Sequence, residues 1–114
     1  MAPKITITRA TGTWVVRAGG AVLGESKNAL ELSEGDHPSV IYFPRSDIAT
    51  AFLDASRHTS HCPHKGDASY YSIVTKSKTI ENAVWSYEAP LDAVSKIKDH
   101  LAFYPSDDVA VERV

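Results

Sequence analysis

The sequence has little cysteine, little net charge and no long apolar run. One cysteine among 114 residues excludes an internal disulfide, which favours a reducing compartment such as the cytoplasm. A formal net charge of −2 gives no basic surface of the kind that attracts nucleic acids or anionic membranes. No apolar stretch is long enough to cross a bilayer, and the opening MAPKITITRA lacks the apolar segment of a signal peptide. The sequence therefore predicts a cytoplasmic protein whose partners are neither nucleic acid nor membrane.

The remaining composition is that of an ordinary globular domain. Hydrophobic residues make up 43% and charged residues 23% of the chain. That is enough apolar content for one core and too much for a disordered chain. No linker, repeat or low-complexity stretch divides the sequence, so we expect a single domain over residues 1–114.

Short β-prone runs recur along the chain. Residues 4–8 (KITIT) alternate polar and β-branched side chains, which is typical of an edge strand. The runs at 14–17 and 21–23 flank Gly19-Gly20, and such a pair between two β runs predicts a hairpin. Further strands are predicted at 29–32, 40–43, 51–53, 69–75, 79–87, 102–104 and 109–111.

Two segments stand out from these short strands. The most apolar run, VIYF at 40–43, predicts a buried central strand. After Pro90, apolar residues recur at intervals of three and four, which predicts an amphipathic helix at about residues 90–100. These residues are Leu91, Val94, Ile97 and Leu101. Many short strands with one late helix indicate a mainly β or α+β fold, a compact antiparallel β domain rather than a doubly wound parallel sheet.

The densest chemistry lies in HTSHCPHKGD, residues 58–67. This segment holds three of the five histidines, the cysteine, a lysine and an aspartate. Pro63 and Gly66 indicate an irregular loop here. One hypothesis is a thiol-dependent enzyme, in which Cys62 is the nucleophile, His61 or His64 is the base, and Asp67 orients it.

Metal binding and a purely structural loop are the other interpretations of this segment. If a metal binds, its ligands are His58, His61 and His64, with Cys62 beside them. The sequence has no second cysteine pair of the kind that zinc sites use, so we predict no metal and no cofactor. In the structural interpretation, the turn residues shape the loop and Lys65 pairs with Asp67 or a nearby carboxylate.

Our leading hypothesis is a small-molecule pocket bounded by residues 62–67. Binding sites are usually apolar and aromatic with a few convergent polar groups. If the loop folds over the sheet, it brings cationic side chains, His61 among them, to an anionic or planar ligand against aromatic walls. The predicted ligand-binding residues are Lys65, Arg45, Tyr71, Trp85 and Tyr42. A third hypothesis is an interaction module that self-associates through the edge strand at 4–8.

A set of spaced motifs covers the chain from Trp14 to Glu112. They are Cys62-Pro63-His64-Lys65-Gly66 with Ala68, Tyr70 and Tyr71; Tyr42-Phe43-Pro44 with Asp47; Asn82-Ala83 with Trp85 and Tyr87; and His100 with Phe103-Tyr104. Together they resemble a widespread bacterial family of small uncharacterised domains, a domain of unknown function sometimes labelled nucleotidyltransferase-like. The resemblance implies a compact β-rich fold with a helix near the C-terminus, and it implies no activity. His64 stands where such sequences more usually carry an aromatic residue, so a role for it would be peculiar to this chain.

The residues do not support the nucleotidyltransferase-like label. Nucleotidyl transfer usually needs paired carboxylates that hold Mg²⁺ between phosphates. The only adjacent acidic pair, Asp107-Asp108, falls in a predicted turn. A phosphate cradle needs a glycine-rich loop that opens a helix, whereas Gly19-Gly20 falls in a predicted hairpin.

Overall fold

The computed structural model describes residues 4–114, which form three antiparallel sheets. The strands are β1 (Ile5–Arg9), β2 (Trp14–Ala18), β3 (Ala21–Ser26), β4 (Leu30–Glu34), β5 (Val40–Tyr42), β6 (Leu53–Cys62), β7 (Gly66–Val74), β8 (Thr79–Ser86), β9 (Ala102–Phe103) and β10 (Val109–Arg113). Their orders are β1-β4-β5, β10-β2-β3 and β6-β7-β8-β9. The predicted antiparallel, β-rich class is confirmed. Met1 to Pro3, at the start of the segment compared with a signal peptide, lie outside the described residues.

The predicted glycine hairpin joins β2 and β3. Gly19 and Gly20 have φ values of 56° and 85°. Two consecutive positive φ angles are what a tight turn between twisted strands requires, and glycine adopts them without steric cost. On its other side β2 pairs with β10, so β2 is the central strand of this sheet.

The sheet of β6 to β9 separates two hydrophobic cores, because side chains alternate between its faces. On β7 and β8, Tyr70 lies opposite Trp85, and Tyr71 lies opposite Val84. Tyr70 and Trp85 pack into one core, and Tyr71 and Val84 pack into the other. The core on the Tyr71 side includes Val16, Leu23, Phe43, Ile73 and Leu101; the core on the Tyr70 side includes Leu32, Tyr42, Tyr87, Val94 and Ile97.

The apolar run at 40–43 is not a central strand. β5 lies at the edge of its sheet, where β4 is its partner. Immediately after β5, the backbones of Phe43 and Leu101 exchange two hydrogen bonds of 2.8 Å, which join β5 to the segment leading into β9. The run is apolar because Tyr42 faces one core and Phe43 faces the other. This junction holds two of the sheets together edge to edge.

The amphipathic helix predicted at 90–100 is not confirmed. Asp92–Ile97 forms 3-10 turns that are interrupted at Val94, whose φ and ψ are −123° and 25°. Val94 and Ile97 are buried, as their spacing suggests, but Leu91 is 47% exposed. A 3-10 turn places residues three apart on one face, so this short segment buries two anchors without the apolar stripe of an α-helix.

The other helical segments are equally short. Arg45–Asp47 is a 3-10 turn that directly follows Pro44. Thr50–Phe52 is a second one and occupies most of the strand predicted at 51–53. Within residues 4–114, no helix has the length and apolarity needed to cross a membrane.

The segment 58–67 is a β-hairpin and not an irregular loop. β6 continues to Cys62 and β7 begins at Gly66, with His61 opposite Asp67 in the register. The backbone N–H of Lys65 donates to the carbonyl of Cys62 at 3.2 Å and closes the turn. β6 is an exposed edge strand, so its backbone pairing with β7 stabilises it, and burial of apolar side chains does not. Its polar sequence therefore lacks the periodicity by which strands are predicted.

Candidate functional site

A cleft of about 810 Å³ lies beside the junction of the two sheets. Its walls come mainly from β4, β5, β7, β8 and β9 and from the turn of the 58–67 hairpin. Single residues of β2, β6 and β10 complete them. The aromatic lining residues are Trp14, Tyr42, Tyr70, Trp85, Tyr87, Phe103 and Tyr104. The acidic and basic lining residues are Glu31, Glu34, His37 and Lys65. The cleft is thus lined mainly by aromatic and aliphatic side chains, with a small charged group.

Four of these rings form a continuous row along the cleft. The Trp85 ring lies 6.3 Å from Tyr42 at an interplanar angle of 85°, and 4.3 Å from Tyr104 at 40°. Tyr70 is parallel to Tyr104 within 7°, with their centroids 6.4 Å apart. Alternation along β7 and β8 aims Tyr70 and Trp85 to the same side. We call these four residues the ring row.

The polar groups of the ring row bond mainly to one another. The indole Nε1–H of Trp85 donates to the hydroxyl of Tyr42 at 3.3 Å. The Tyr70 hydroxyl lies 2.9 Å from Ser60 Oγ and 3.3 Å from the Tyr104 hydroxyl. Burial raises the pKa of Tyr42, and burial together with the Tyr70 hydroxyl raises the pKa of Tyr104 to about 12. These phenols therefore stay neutral at physiological pH.

Lys65 and Glu34 form an ion pair in the cleft wall. Lys65 Nζ donates to Glu34 Oε1 at 2.7 Å, and the side chains are only 11% and 16% exposed. The bond from Lys65 lowers the pKa of Glu34 despite its burial. Burial alone would lower the pKa of Lys65, but Glu34 and the neighbouring Cys62 outweigh it and raise that pKa. Both groups are charged at neutral pH, and each neutralises the other.

The structure separates Cys62 from His61, one of the two histidines predicted as its base. Neighbouring residues on β6 point to opposite faces of the sheet, so Cys62 and His61 do not face each other. Cys62 is half-buried against the Tyr70-side core. His61 Nδ1 lies 2.7 Å from Asp67 Oδ1, with side chains 69% and 85% exposed. The predicted set therefore divides into an exposed His61–Asp67 pair and a Cys62 thiol beside Lys65.

Arg45 and Tyr71 lie on the other side of the sheet, away from the cleft. The Arg45 guanidinium sits 5.4 Å above the Tyr71 ring and donates to Ser86 Oγ at 3.3 Å and to the Asp99 carbonyl at 3.1 Å. Ser86 is fully buried, so this arginine anchors the segment after β5 to the sheet. Of the predicted ligand-binding residues, the cleft brings together Lys65, Trp85 and Tyr42.

Comparison with known proteins identifies the family of this chain. A family described as a domain of unknown function (DUF427) matches residues 6–114. The chain belongs to the DUF427 family. This confirms the resemblance inferred from the spaced motifs. A search of curated proteins found no match for the DUF427 chain.

The histidines of the DUF427 chain do not gather around one point. In the part of the chain that the structure describes, no three His, Cys, Asp or Glu side chains are placed to hold a metal ion. The His58 ring instead packs edge-on against Tyr70, 4.4 Å between centroids, and His64 lies half-buried in the hairpin turn.

The predicted ligand-binding set left out most of the residues that line the DUF427 cleft. Glu34, Ser60, Tyr70 and Tyr104 are among them. The sequence around Glu34 is typical of a turn, and no sequence pattern indicates that Glu34 pairs with a lysine 31 positions later. Tyr70 had a usable signal, because strand alternation places it on the same face as its cross-strand partner Trp85.

Proposed function

We propose that this chain is a small-molecule-binding domain whose ligand occupies the aromatic cleft. The observation that carries the proposal is the cleft itself, about 810 Å³ with a lining mainly of aromatic and aliphatic side chains and one ion pair in its wall. Ligand sites typically have volumes of roughly 300–1,000 Å³, apolar walls and a few placed polar groups. The turn at 63–65 borders the cleft through Lys65, as the leading hypothesis requires.

The placement of charge supports a binding role for this wall. An ion pair held away from water contributes little net stability, because the cost of desolvation offsets the attraction. The Lys65–Glu34 pair is nevertheless part of the lining, so stability alone does not account for it. Tyr42 and Trp85 adjoin it through the ring row. We assign Lys65, Glu34, Tyr42 and Trp85 to ligand contact.

A fragment screen read out by the tryptophan indoles tests this proposal. The chain has two tryptophans, and both Trp14 and Trp85 line the cleft. We expect hits from a mixed fragment library to shift the indole N–H signals of ¹⁵N-labelled protein. Tyr104→Ala should weaken each hit about tenfold, since it removes an exposed wall ring. Phe52→Ala is the matched control, because Phe52 is equally exposed but lies outside the lining.

Two results would contradict binding in the cleft. One is a library that shifts neither indole signal at millimolar concentration. The other is a set of hits that Tyr104→Ala and Phe52→Ala weaken equally. Because Tyr104 and Phe52 are 46% and 42% exposed, both variants should keep the fold, which the backbone spectrum checks.

A thiol-dependent enzyme is the second candidate function. The observation that favours it is that Cys62 and Lys65 close the same hairpin turn, where the Lys65 N–H donates to the Cys62 carbonyl at 3.2 Å, and that Lys65 lines the cleft. A neighbouring cation stabilises the thiolate, which is the reactive form of cysteine. We expect iodoacetamide to modify Cys62 faster at neutral pH in the native protein than in Lys65→Met. Equal rates across pH, with a midpoint at or above about 8.5, would remove this candidate.

A further inference from the structure

Resting on the proposed function, we infer that the ligand of the cleft is a short peptide in extended conformation, which binds as an added strand on the open edge of β5. Three features of the cleft carry this inference. They are the course of its lining along strand edges, the direction of the backbone groups there, and the apolar side chains on both sides of that edge.

The cleft follows the edges of two strands. Five consecutive residues, 38–42, line it along β5, and three consecutive residues, 103–105, line it at the end of β9. Neighbouring side chains of a strand point to opposite faces, so a cavity beside one face meets every second residue. An unbroken run of lining residues indicates that the cavity lies at the strand edge, where a ligand can reach the backbone.

The edges of β5 and β9 separate after a single bridge. Phe43 and Leu101 exchange two backbone hydrogen bonds of 2.8 Å there. Continued antiparallel pairing would place Ile41 opposite Phe103, but β5 and β9 are edge strands of different sheets, and no bridge joins these two residues within 4–114. Both residues line the cleft. The cleft is thus the space that two diverging strand edges leave beside their junction.

The backbone groups of Ile41 point into this space. In an antiparallel pair, the N–H and the carbonyl of one residue point to the same side, and those of the next residue point to the other. Because Phe43 bonds outward to Leu101, Tyr42 and Val40 bond inward to β4. Ile41, which lies between them, therefore directs one donor and one acceptor outward.

The alternation of β4 gives the same result independently. The Ala10 N–H donates to the Ala29 carbonyl at 2.9 Å, so Ala29 bonds towards β1. Leu30 and Leu32 then bond towards β5, and the residue between them, opposite Ile41, does not. The N–H and carbonyl of Ile41 accordingly have no partner in β4. An extended peptide supplies the matching carbonyl and N–H, which is how peptides add to open sheet edges.

Two prolines limit the length of the added strand. Pro38 and Pro105 line the cleft at the ends of the two edges, and proline has no N–H for a sheet ladder. The open edge of β5 therefore spans residues 39–41, which matches about 10 Å of extended chain. The fitting ligand is a peptide segment of about three residues.

Each side of the open edge has one tryptophan. Trp14 and Ile41 pack against one hydrophobic core, whereas Trp85 and Tyr42 belong to the other. An extended peptide directs its side chains alternately to the two sides. We therefore expect a bound peptide to shift both indole signals, and apolar, β-branched side chains to suit both sides.

Hydrogen exchange at two neighbouring amides tests the inference. In the free protein, the Ile41 amide should exchange faster than the Val40 amide, which bonds to β4; both residues are half-buried, so they form a matched pair. The probe is N-acetyl-Val-Thr-Val-amide, because its β-branched residues favour an extended chain. At ten times its dissociation constant, it should slow exchange at Ile41 about tenfold, since only unbound protein exchanges there.

A modified peptide and a pair of variants locate the hydrogen bonds. The fully N-methylated probe keeps every side chain and loses every N–H, so it should bind at least about tenfold more weakly. Ser39→Pro removes an N–H two positions before Ile41 and should weaken the unmodified probe about fivefold. Ser39→Ala is the matched control, because it keeps the N–H and removes only the hydroxyl that bonds to Ser33. Ser39 is exposed, so both variants should fold, which the backbone spectrum checks.

The outcomes separate this inference from the proposed function. Equal binding of the two probes, or an Ile41 amide that the probe does not slow, would overturn the peptide assignment. Protection of Ile41 that rises with protein concentration alone would also overturn it, because a second copy would then occupy the edge. Fragment binding that depends on Tyr104 would still support a ligand cleft in these cases. Absence of any cleft ligand, peptide or fragment, would remove the proposed function itself.

Discussion

Lys65 connects the most polar turn of the sequence to the aromatic cleft. Its ammonium reaches Glu34 on β4, 31 residues earlier, and its carbonyl accepts a hydrogen bond from the Leu91 N–H at 2.9 Å. Gly66 follows with a φ of 110°, and a side chain there would meet the Ala89 carbonyl at 3.4 Å. The positive φ, rather than this contact, is what calls for glycine between Lys65 and the rest of β7.

Replacing Glu34 tests the ion pair at the residue scale. Glu34→Gln leaves the largely buried Lys65 ammonium without its carboxylate, so we expect the free energy of unfolding to fall by about 2 kcal/mol at pH 7. Urea unfolding of the wild type and the variant measures the difference. Asp108→Asn is the control: it breaks the exposed Lys78–Asp108 pair, whose side chains are 47% and 40% exposed. It should cost less than about 1 kcal/mol.

The cost of Glu34→Gln should depend on pH at both extremes. The folded pKa of Glu34 is lowered, so its contribution is present above the ordinary carboxyl pKa of about 4.3 and is lost as pH falls through the folded value. The folded pKa of Lys65 is raised, so its contribution is present below about 10.4 and is lost as pH rises through the folded value. A difference that does not shrink as pH falls below the ordinary carboxyl pKa of about 4.3 would contradict this assignment.

At the element scale, a short segment covers the open edge of β3. Gly24 forms a bridge with Ile48, and the Ala49 N–H donates to the Leu23 carbonyl at 2.8 Å. An uncovered edge strand invites pairing with other chains, so this cover protects the sheet. It approaches so closely that a Cβ at Gly24 would overlap the carbonyl of Asp47 and the side chain of Ile48.

Gly24→Ala should therefore destabilise the protein. We expect a loss of about 1–3 kcal/mol, since a rigid backbone carbonyl cannot give way as a flexible side chain can. Thermal or urea unfolding measures the loss. Val22→Ala on the same strand is the control, because Val22 is 52% exposed and should change stability by less than about 0.5 kcal/mol. Equal losses in the two variants would show that the segment does not pack closely on β3.

Elements were predictable where local chemistry alone determines them. The Gly19-Gly20 hairpin and the strands around residues 69–87 follow from turn residues and β-prone runs. The hairpin at 58–67 does not, because β6 is exposed and its pairing with β7 leaves no apolar period. The 3-10 turns at Asp92–Ile97 have the same apolar spacing as an α-helix, because buried residues three apart lie on one face in both structures.

The candidate site was predictable only in part, because local chemistry alone does not determine it. Lys65, Trp85 and Tyr42 stand out by residue type, and the cleft contains all three. Arg45 and Tyr71 also stand out, but strand alternation sends Tyr71 to the opposite face, where Arg45 covers it. The sequence alone leaves open which face of the sheet lines a cavity, because that depends on how the sheets join at Phe43 and Leu101.

At the scale of the whole molecule, buried phenols set a limit to alkaline stability. Burial raises the pKa of Tyr42 and Tyr87. A raised folded pKa gives stability that is present below the ordinary phenol pKa of about 10 and is lost as pH rises through the folded values. We expect the free energy of unfolding to fall steeply above about pH 10.

Tyr87→Phe should make this alkaline decline shallower. Removing one buried phenol should reduce the slope above pH 10 by up to about 1.4 kcal/mol per pH unit. Urea unfolding between about pH 8 and 11.5 measures it. An unchanged slope would show that Tyr87 ionises equally well in the folded and unfolded chains.

The ring row also gives the cleft a spectroscopic signal of its own. Aromatic rings in contact at fixed, non-parallel angles couple their electronic transitions, and this coupling gives near-ultraviolet circular dichroism a sign and strength that isolated rings lack. Trp85 contacts two tyrosine rings at interplanar angles of 85° and 40°, so its electronic transitions couple to those of both rings. Any occupant that turns one ring changes the spectrum. The protein therefore carries its own unlabelled reporter of occupancy, built from the same side chains that form the wall.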